Sequence, residues 1–302
     1  MIITVLRQIL LLFFLMAVGY CVYQLKIVSA EGKRDLSRLV LNVTLPAMIL
    51  ASVAEVPASF GAGDILLLMG LSFLGYGIMG VIAFCAPRIL RCSREEQGLS
   101  GFLILFGNVG FMGFPVLAVL FGSEAVFIAA ILNLPMNLLC FSVGILMVAP
   151  PGTKLKPSAL LTPTVIASIV APLLFVLPFS LPAGIYEGLS LLGSATVPLA
   201  MLVVGMTLAQ MPLKVFWHMP RLYGVAVCRL LLCPLAVWLI LRCFPISENY
   251  LNIITVLAAM PAATNATLLC IEYHGDEKTA SAGVCLSTLL SLFTIPLLTV
   301  IL

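Results

Sequence analysis

Apolar runs of about twenty residues recur along the chain, each closed by a cluster of charges or of proline and glycine. Reading between these clusters predicts ten segments, approximately 2–25, 36–54, 65–86, 98–121, 125–149, 159–177, 187–209, 222–243, 251–271 and 281–302. About 20 apolar residues span the hydrocarbon core as a helix, so the pattern predicts an all-α membrane protein with ten transmembrane helices. The run 9–25 is too long for the apolar part of a cleaved signal and reads as a retained first span.

Charge placement tests that count. Twelve of the fifteen basic residues fall in the connections after segments 1, 3, 5, 7 and 9: Lys26, Lys33, Arg34, Arg38, Arg88, Arg91, Arg94, Lys154, Lys156, Lys214, Arg221 and Lys278. The even connections contribute only Arg242, while Arg7 and Arg229 lie inside apolar segments. Basic residues concentrate on the cytoplasmic side, which predicts a multi-pass protein of the inner (plasma) membrane with both termini outside the cytoplasm.

Composition narrows the class. The chain of 302 residues is 62% apolar and 9% charged, against about a quarter charged in soluble domains, so a separate soluble domain has no room. A net charge of +3 gives no case for nucleic acid. The nine cysteines form no CxxC pattern and read as small apolar side chains. Neither His218, beside Trp217, nor His274 has a partner at metal-ligand spacing, so no metal or cofactor is expected. The asparagines Asn42 and Asn265 match glycosylation sequons that lie within spans, out of reach of the modifying enzyme. No phosphate-binding loop is present.

A linker rich in proline and lysine, 150–158, divides the ten spans into a first repeat, 1–149, and a second, 159–302. Five spans per half turn the second half upside down, an inverted-repeat plan common among secondary carriers. Faint echoes keep a nearly constant offset: Thr44 and Pro46 match Thr196 and Pro198, and Gly122 and Glu124 match Gly275 and Glu277.

Span four holds Gly107, Asn108, Gly110, Gly113 and Pro115 in its middle, and span nine holds Pro261, Thr264 and Asn265 at the corresponding place. Glycine costs about 1 kcal/mol and proline about 3 inside a helix, so both spans are expected to break. Irregular backbone at membrane depth survives only where it is buried in protein or lines a watery cavity. Two broken, crossing helices would bring half-helix N-termini together, an arrangement that favours an anion. The alternative is a simple kink for each proline and a packing surface for each glycine, as expected for Gly70, Gly75, Gly77 and Gly80 in span three.

All twelve acidic residues fall in or beside connections, which disfavours a proton relay through a buried acid. Arg229 stands about 12 Å along the helix from Arg221. It reads either as a functional intramembrane cation or as a side chain that snorkels or caps carbonyls of a neighbouring helix. Arg7 reads as an interfacial anchor. Asn42 and Thr264 join the candidates as neighbours of the broken elements; Asn133 and Asn137 are possible liners, and Thr44, Thr196, Ser287 and Ser291 read mostly as helix glue.

These motifs resemble the auxin efflux carrier family. The likeness rests on Asn42, Leu45 and Pro46; on Gly107, Asn108, Gly110, Gly113 and Pro115; on Pro198 and Gly205; on Arg229 and Pro234; on Pro261 and Asn265; and on Ser287 through to Pro296. The resemblance implies a dimeric carrier of organic anions with elevator-type alternating access, spans 3–5 and 8–10 moving against a scaffold of spans 1, 2, 6 and 7. Without the long central loop of many plant members, the chain is expected to move mono- or dicarboxylates such as malate or malonate, or auxin-like acids. The candidate substrate ligands are Asn108, Asn265, Gly107, Gly110, Pro115, Pro261, Thr264, Asn42 and Arg229. An enzyme is disfavoured, because the spans hold no acid, histidine or nucleophile–base pair. A channel, or a membrane subunit dependent on a separate ATPase, is the alternative.

Overall fold

The computed structural model describes residues 2–57, 60–149, 161–177, 182–210 and 219–301. The linker 150–158, Trp217 and His218 lie outside the described residues. Within them the protein is all-helical, and the only strand-like feature is one isolated bridge, between Gly107 and Ala262.

Six helical stretches are long and apolar enough to cross a bilayer: Ala30–Glu55, Ala62–Ile89, Ser123–Val148, Ala183–Ala209, Pro220–Leu241 and Glu277–Thr299. Their outer surfaces carry large apolar side chains such as Phe84, Leu191 and Phe293. Water would penalise such a continuous apolar exterior; lipid does not, and the protein is a multi-pass membrane protein. Among the described residues, shorter apolar helical stretches are Leu10–Gln24, Val109–Phe121 and Pro163–Val176.

In chain order the helices are α1 (Ile2–Gln24), α2 (Ala30–Leu39), α3 (Leu45–Ala51), α4 (Ala62–Ile89), α5 (Arg94–Leu105), α6 (Phe114–Phe121), α7 (Ser123–Leu139), α8 (Ile145–Val148), α9 (Pro163–Val176), α10 (Ala183–Ser194), α11 (Thr196–Ala209), α12 (Pro220–Val227), α13 (Cys233–Leu241), α14 (Glu248–Ala258), α15 (Asn265–Glu272) and α16 (Glu277–Ile301). Single π-helical turns join α2 to α3, α7 to α8 and α12 to α13. Such turns widen a helix by one residue and are frequent at functional sites.

The chain forms two compact units. The first gathers the described parts of Met1–Gly70, Gly110–Pro135 and Ser158–Ala209. Here α1 packs along α11 through Gly19 and Gly205: a Cβ on either would overlap a main-chain oxygen of the facing helix, Leu202 or Met16. Small residues are what allow membrane helices to approach so closely. Among the described residues the glycines of α4 make no such close approach within the chain: a Cβ at Gly70, Gly75, Gly77 or Gly80 would meet nothing within 4 Å. Rings of Phe60, Phe127 and Phe175 pack with centroids 5.5–5.6 Å apart.

The second unit gathers the described parts of Leu71–Val109, Met136–Pro157 and Gln210–Leu302. In it α15 packs on α16, α13 on α14, and α5 on α8 and α12. Gly98 lies against the Met147 carbonyl and Gly283 against the Leu103 side chain.

Candidate functional site

The site grows from the places where two helices of the second unit stop. α5 begins well: Ser93 caps it, with its Oγ accepting from the Glu96 N–H at 3.3 Å and the Glu96 carboxylate accepting from the Ser93 N–H at 2.8 Å. This reciprocal box satisfies two orphan amides and holds the Glu96 carboxyl below its ordinary 4.5, first through the Ser93 main-chain donor and then through the nearby Arg221. Twelve residues later the helix ends, and Phe106 is extended at φ −102°, ψ 124°. Gly107 and Gly110 follow, residues for which a helix gains least. α14 ends at Ala258 before Pro261, which has no N–H to continue a helical ladder.

The freed backbones pair with each other. The Asn108 N–H donates to the Pro261 carbonyl at 2.7 Å, and the Ala263 N–H donates to the Phe106 carbonyl at 2.9 Å. The Ala262 N–H donates to Ser287 Oγ of α16 at 3.1 Å. These bonds answer the requirement that main-chain groups away from water find partners within the protein.

Arg229 enters from the π-helical turn Cys228–Leu232. It is 1% exposed. Its Nε donates to the Met260 carbonyl at 2.7 Å, and its Nη1 donates to the carbonyls of Ile104 and Leu105 at 3.0 and 3.1 Å, with Met79 Sδ at 3.6 Å. The last carbonyls of a helix have no intrahelical partner, so one guanidinium caps the end of α5 and also holds the Met260 carbonyl, two residues past the end of α14. Nη2 lies against Gly107. Among the described residues no carboxylate lies within ion-pair distance of Arg229; ion pairs such as Arg38 with Asp35 and Arg221 with Glu96 lie elsewhere.

Of the expected site residues, the second unit brings together Gly107, Asn108, Pro261 and Arg229. Thr264 and Asn265, both half-buried, start α15, and Asn265 Nδ2 lies 3.9 Å from Cys140 Sγ. Gly110, Pro115 and Asn42 belong to the first unit. There a Cβ on Gly110 would lie 3.3 Å from the Leu41 side chain, Pro115 is buried and the neighbouring Asn42 is exposed. Asn133 and Asn137 are buried, and Thr44 only bonds back to its own helix.

Two neighbours carry no signal in the sequence: Tyr76 stacks on Phe106 with centroids 6.4 Å apart, and Cys140 meets Asn265. Ser287, read as helix glue, does join two elements, as the acceptor for the Ala262 N–H. Nothing in the apolar run around Tyr76 marks it, while Cys140 looked like any membrane cysteine. The chemistry on offer is electrostatic: a buried cation, a helix N-terminus at Asn265, amide side chains, and no acid among the described groups around Arg229.

Comparison with known proteins shows the family. The family described as "Membrane transport protein" matches residues 4–159 and again 154–299. An "Uncharacterized transporter" of Methanothermobacter thermautotrophicus is 30% identical over 293 residues, 95% of this chain and 95% of that one. A protein of Rhizobium meliloti named "Putative malonate transporter" is 27% identical over 298 residues, 94% of this chain and 91% of that one. The "Uncharacterized transporter YfdV" of Escherichia coli K12 is 23% identical over 94% of this chain and 93% of its own.

Proposed function

We propose, from the premise that the chain belongs to the membrane transport protein family, whose named members here are transporters rather than enzymes, that it is a secondary carrier of small organic anions. The observation that carries this reading is the start of α15 at Asn265, directly after the main-chain pairing of Phe106 and Asn108 with Ala263 and Pro261, with no carboxylate within ion-pair distance of the neighbouring Arg229 among the described residues. α15 starts beside this crossing with a partial positive charge of about half an electron, and Asn108 and Asn265 add amide groups. A site with excess positive potential and no fixed acid suits a carboxylate.

The carrier has ten spans in two inverted five-helix repeats, with spans four and nine broken and crossing. The pairing of Gly107 with Ala262 and the division of the family match near residue 155 support that plan. Spans 3–5 and 8–10 carry the substrate in an elevator-type movement against spans 1, 2, 6 and 7. The compact units divide spans three, four and five at Gly70, Val109 and Pro135, so this grouping of whole spans rests on the family resemblance and not on the units. The protein works as a homodimer in the plasma membrane with both termini outside. Malonate is the first cargo to try, because a relative carries that name.

The test is purified protein in proteoliposomes loaded with malonate or malate. Saturable counterflow without ATP, abolished in N108A and N265A while both remain folded in detergent, is the expected result. Wild-type counterflow in both variants would remove the site, and large ohmic currents would make the protein a channel.

A further inference from the structure

We infer that Arg229 is a tethered cation that fills the position of a coupling metal ion, so that the carrier proposed above turns over without sodium at its crossing. In carriers of this general plan, half-helix C-termini and unwound carbonyls are the groups that coordinate sodium. Here those groups are the carbonyls of Ile104, Leu105 and Met260, and all three accept from the Arg229 guanidinium at 2.7–3.1 Å. The adjoining carbonyls are taken as well: Phe106 accepts from Ala263, Gly107 from Val109, and Pro261 from Asn108. Each oxygen of this set already accepts from a donor within the protein and keeps at most its second lone pair, so a hard cation, which needs several oxygens at once, would have to compete with the guanidinium for them.

The charges balance. A helix C-terminus acts as roughly half a negative charge, and α5 and α14, with 12 and 11 residues, present two of them. Together they offset the single positive charge of one guanidinium, which explains how Arg229 is buried with no carboxylate beside it. A second cation at the same carbonyls would sit against a like charge in a medium that screens poorly. Two local features make the arrangement possible. The π-helical turn Cys228–Leu232 carries the arginine at the level of the crossing, and the missing side chain of Gly107 leaves room for Nη2. Arginine suits the task better than lysine, because its planar fork holds several acceptors in fixed directions and stays charged.

This inference rests on the carrier reading, and the experiment separates the two. Malonate counterflow of the wild-type protein is measured with sodium, potassium or N-methylglucamine as the cation on both sides, and melting temperatures are recorded in the same salts. Counterflow and melting temperature that do not change with the cation are expected. In R229A, melting temperature falls, counterflow drops by about a hundredfold through lost positioning, and methylguanidinium at sub-denaturing concentration restores part of the melting temperature while tetramethylammonium does not. R229K, which keeps the charge without the fork, melts between the two and guards against an R229A chain that fails to fold. Sodium-dependent counterflow or a sodium-specific rise in wild-type melting temperature would overturn the inference, as would wild-type behaviour of R229A. Failure of the wild type to move malonate or malate in any salt sinks the carrier reading instead, and the melting series still decides whether Arg229 is the cation that holds the crossing.

Discussion

Gly107 and Arg229 share a space with no room for one more carbon: a Cβ on the glycine would overlap Nη2 and crowd the guanidinium carbon at 3.1 Å. The guanidinium cannot simply swing away, because two of its nitrogens are held by three carbonyls. Gly107→Ala is therefore expected to destabilise by about 1–3 kcal/mol through overpacking, read as a melting temperature lower by roughly 5 °C in detergent. Counterflow should fall more steeply than stability, since the displaced group sets the crossing. An unchanged melting temperature would mean that the arginine is loosely held.

Ser287 and Ser291 make a second comparison on one helix face. Ser287 Oγ accepts from the Ala262 N–H at 3.1 Å, whereas Ser291 Oγ only donates back to Thr288 at 2.7 Å. Ser287→Ala leaves a buried amide without its acceptor, at about 1–3 kcal/mol, and loosens the stretch that follows Pro261. Ser291→Ala removes a bond whose carbonyl keeps its place in the helix, and should stay within roughly 0.5 kcal/mol. Equal melting temperatures for the two variants would show that Ser287 does not support the crossing.

What could be read from the chain, and what could not, divides along physical lines. The membrane class follows from apolar run lengths, which bilayer thickness fixes directly. The observed helix ends at Leu105 and Ala258 fall beside Gly107 and Pro261, where local chemistry alone raises the cost of helix. The sequence alone does not divide function from capping at Arg229, because its acceptors are main-chain carbonyls and carry no signature in residue type. The same blindness applies to Ser287, whose partner is an amide 25 residues away. The α4 glycines were assigned to packing on composition, yet only geometry separates an open glycine from a closed one.

Arg221 and Glu96, 2.8 Å apart, join the start of α12 to the start of α5 outside the apolar core. Glu96 has its pKa lowered from 4.5 by the Ser93 amide first and Arg221 among the lesser causes. A depressed carboxylate contributes stability that is present above its unfolded value and is lost as pH falls through the folded one. The wild type should therefore melt above E96Q at neutral pH, with the gap closing on acidification below 4.5. Both side chains are about half exposed, so the ion pair adds at most about 1 kcal/mol and the capping box about 1 more. A gap that does not depend on pH would show that the carboxylate is not what matters.

Gly205 and Gly70 both lie within long apolar runs, yet they should respond oppositely to a side chain. A Cβ at Gly205 would run into the Met16 carbonyl and lie 2.8 Å from the Tyr20 nitrogen of the facing α1. These are main-chain atoms that cannot rotate aside, so Gly205→Leu must push α1 and α11 apart along their shared length. The loss should exceed the roughly 1–3 kcal/mol of ordinary overpacking and show as a lower melting temperature and poor recovery of folded protein. At Gly70 nothing lies within 4 Å of the added carbon, and Gly70→Ala removes backbone freedom from the unfolded chain at no steric cost. Its melting temperature should hold or rise. A Gly205→Leu protein as stable as the wild type would mean that α1 and α11 are not held in backbone contact.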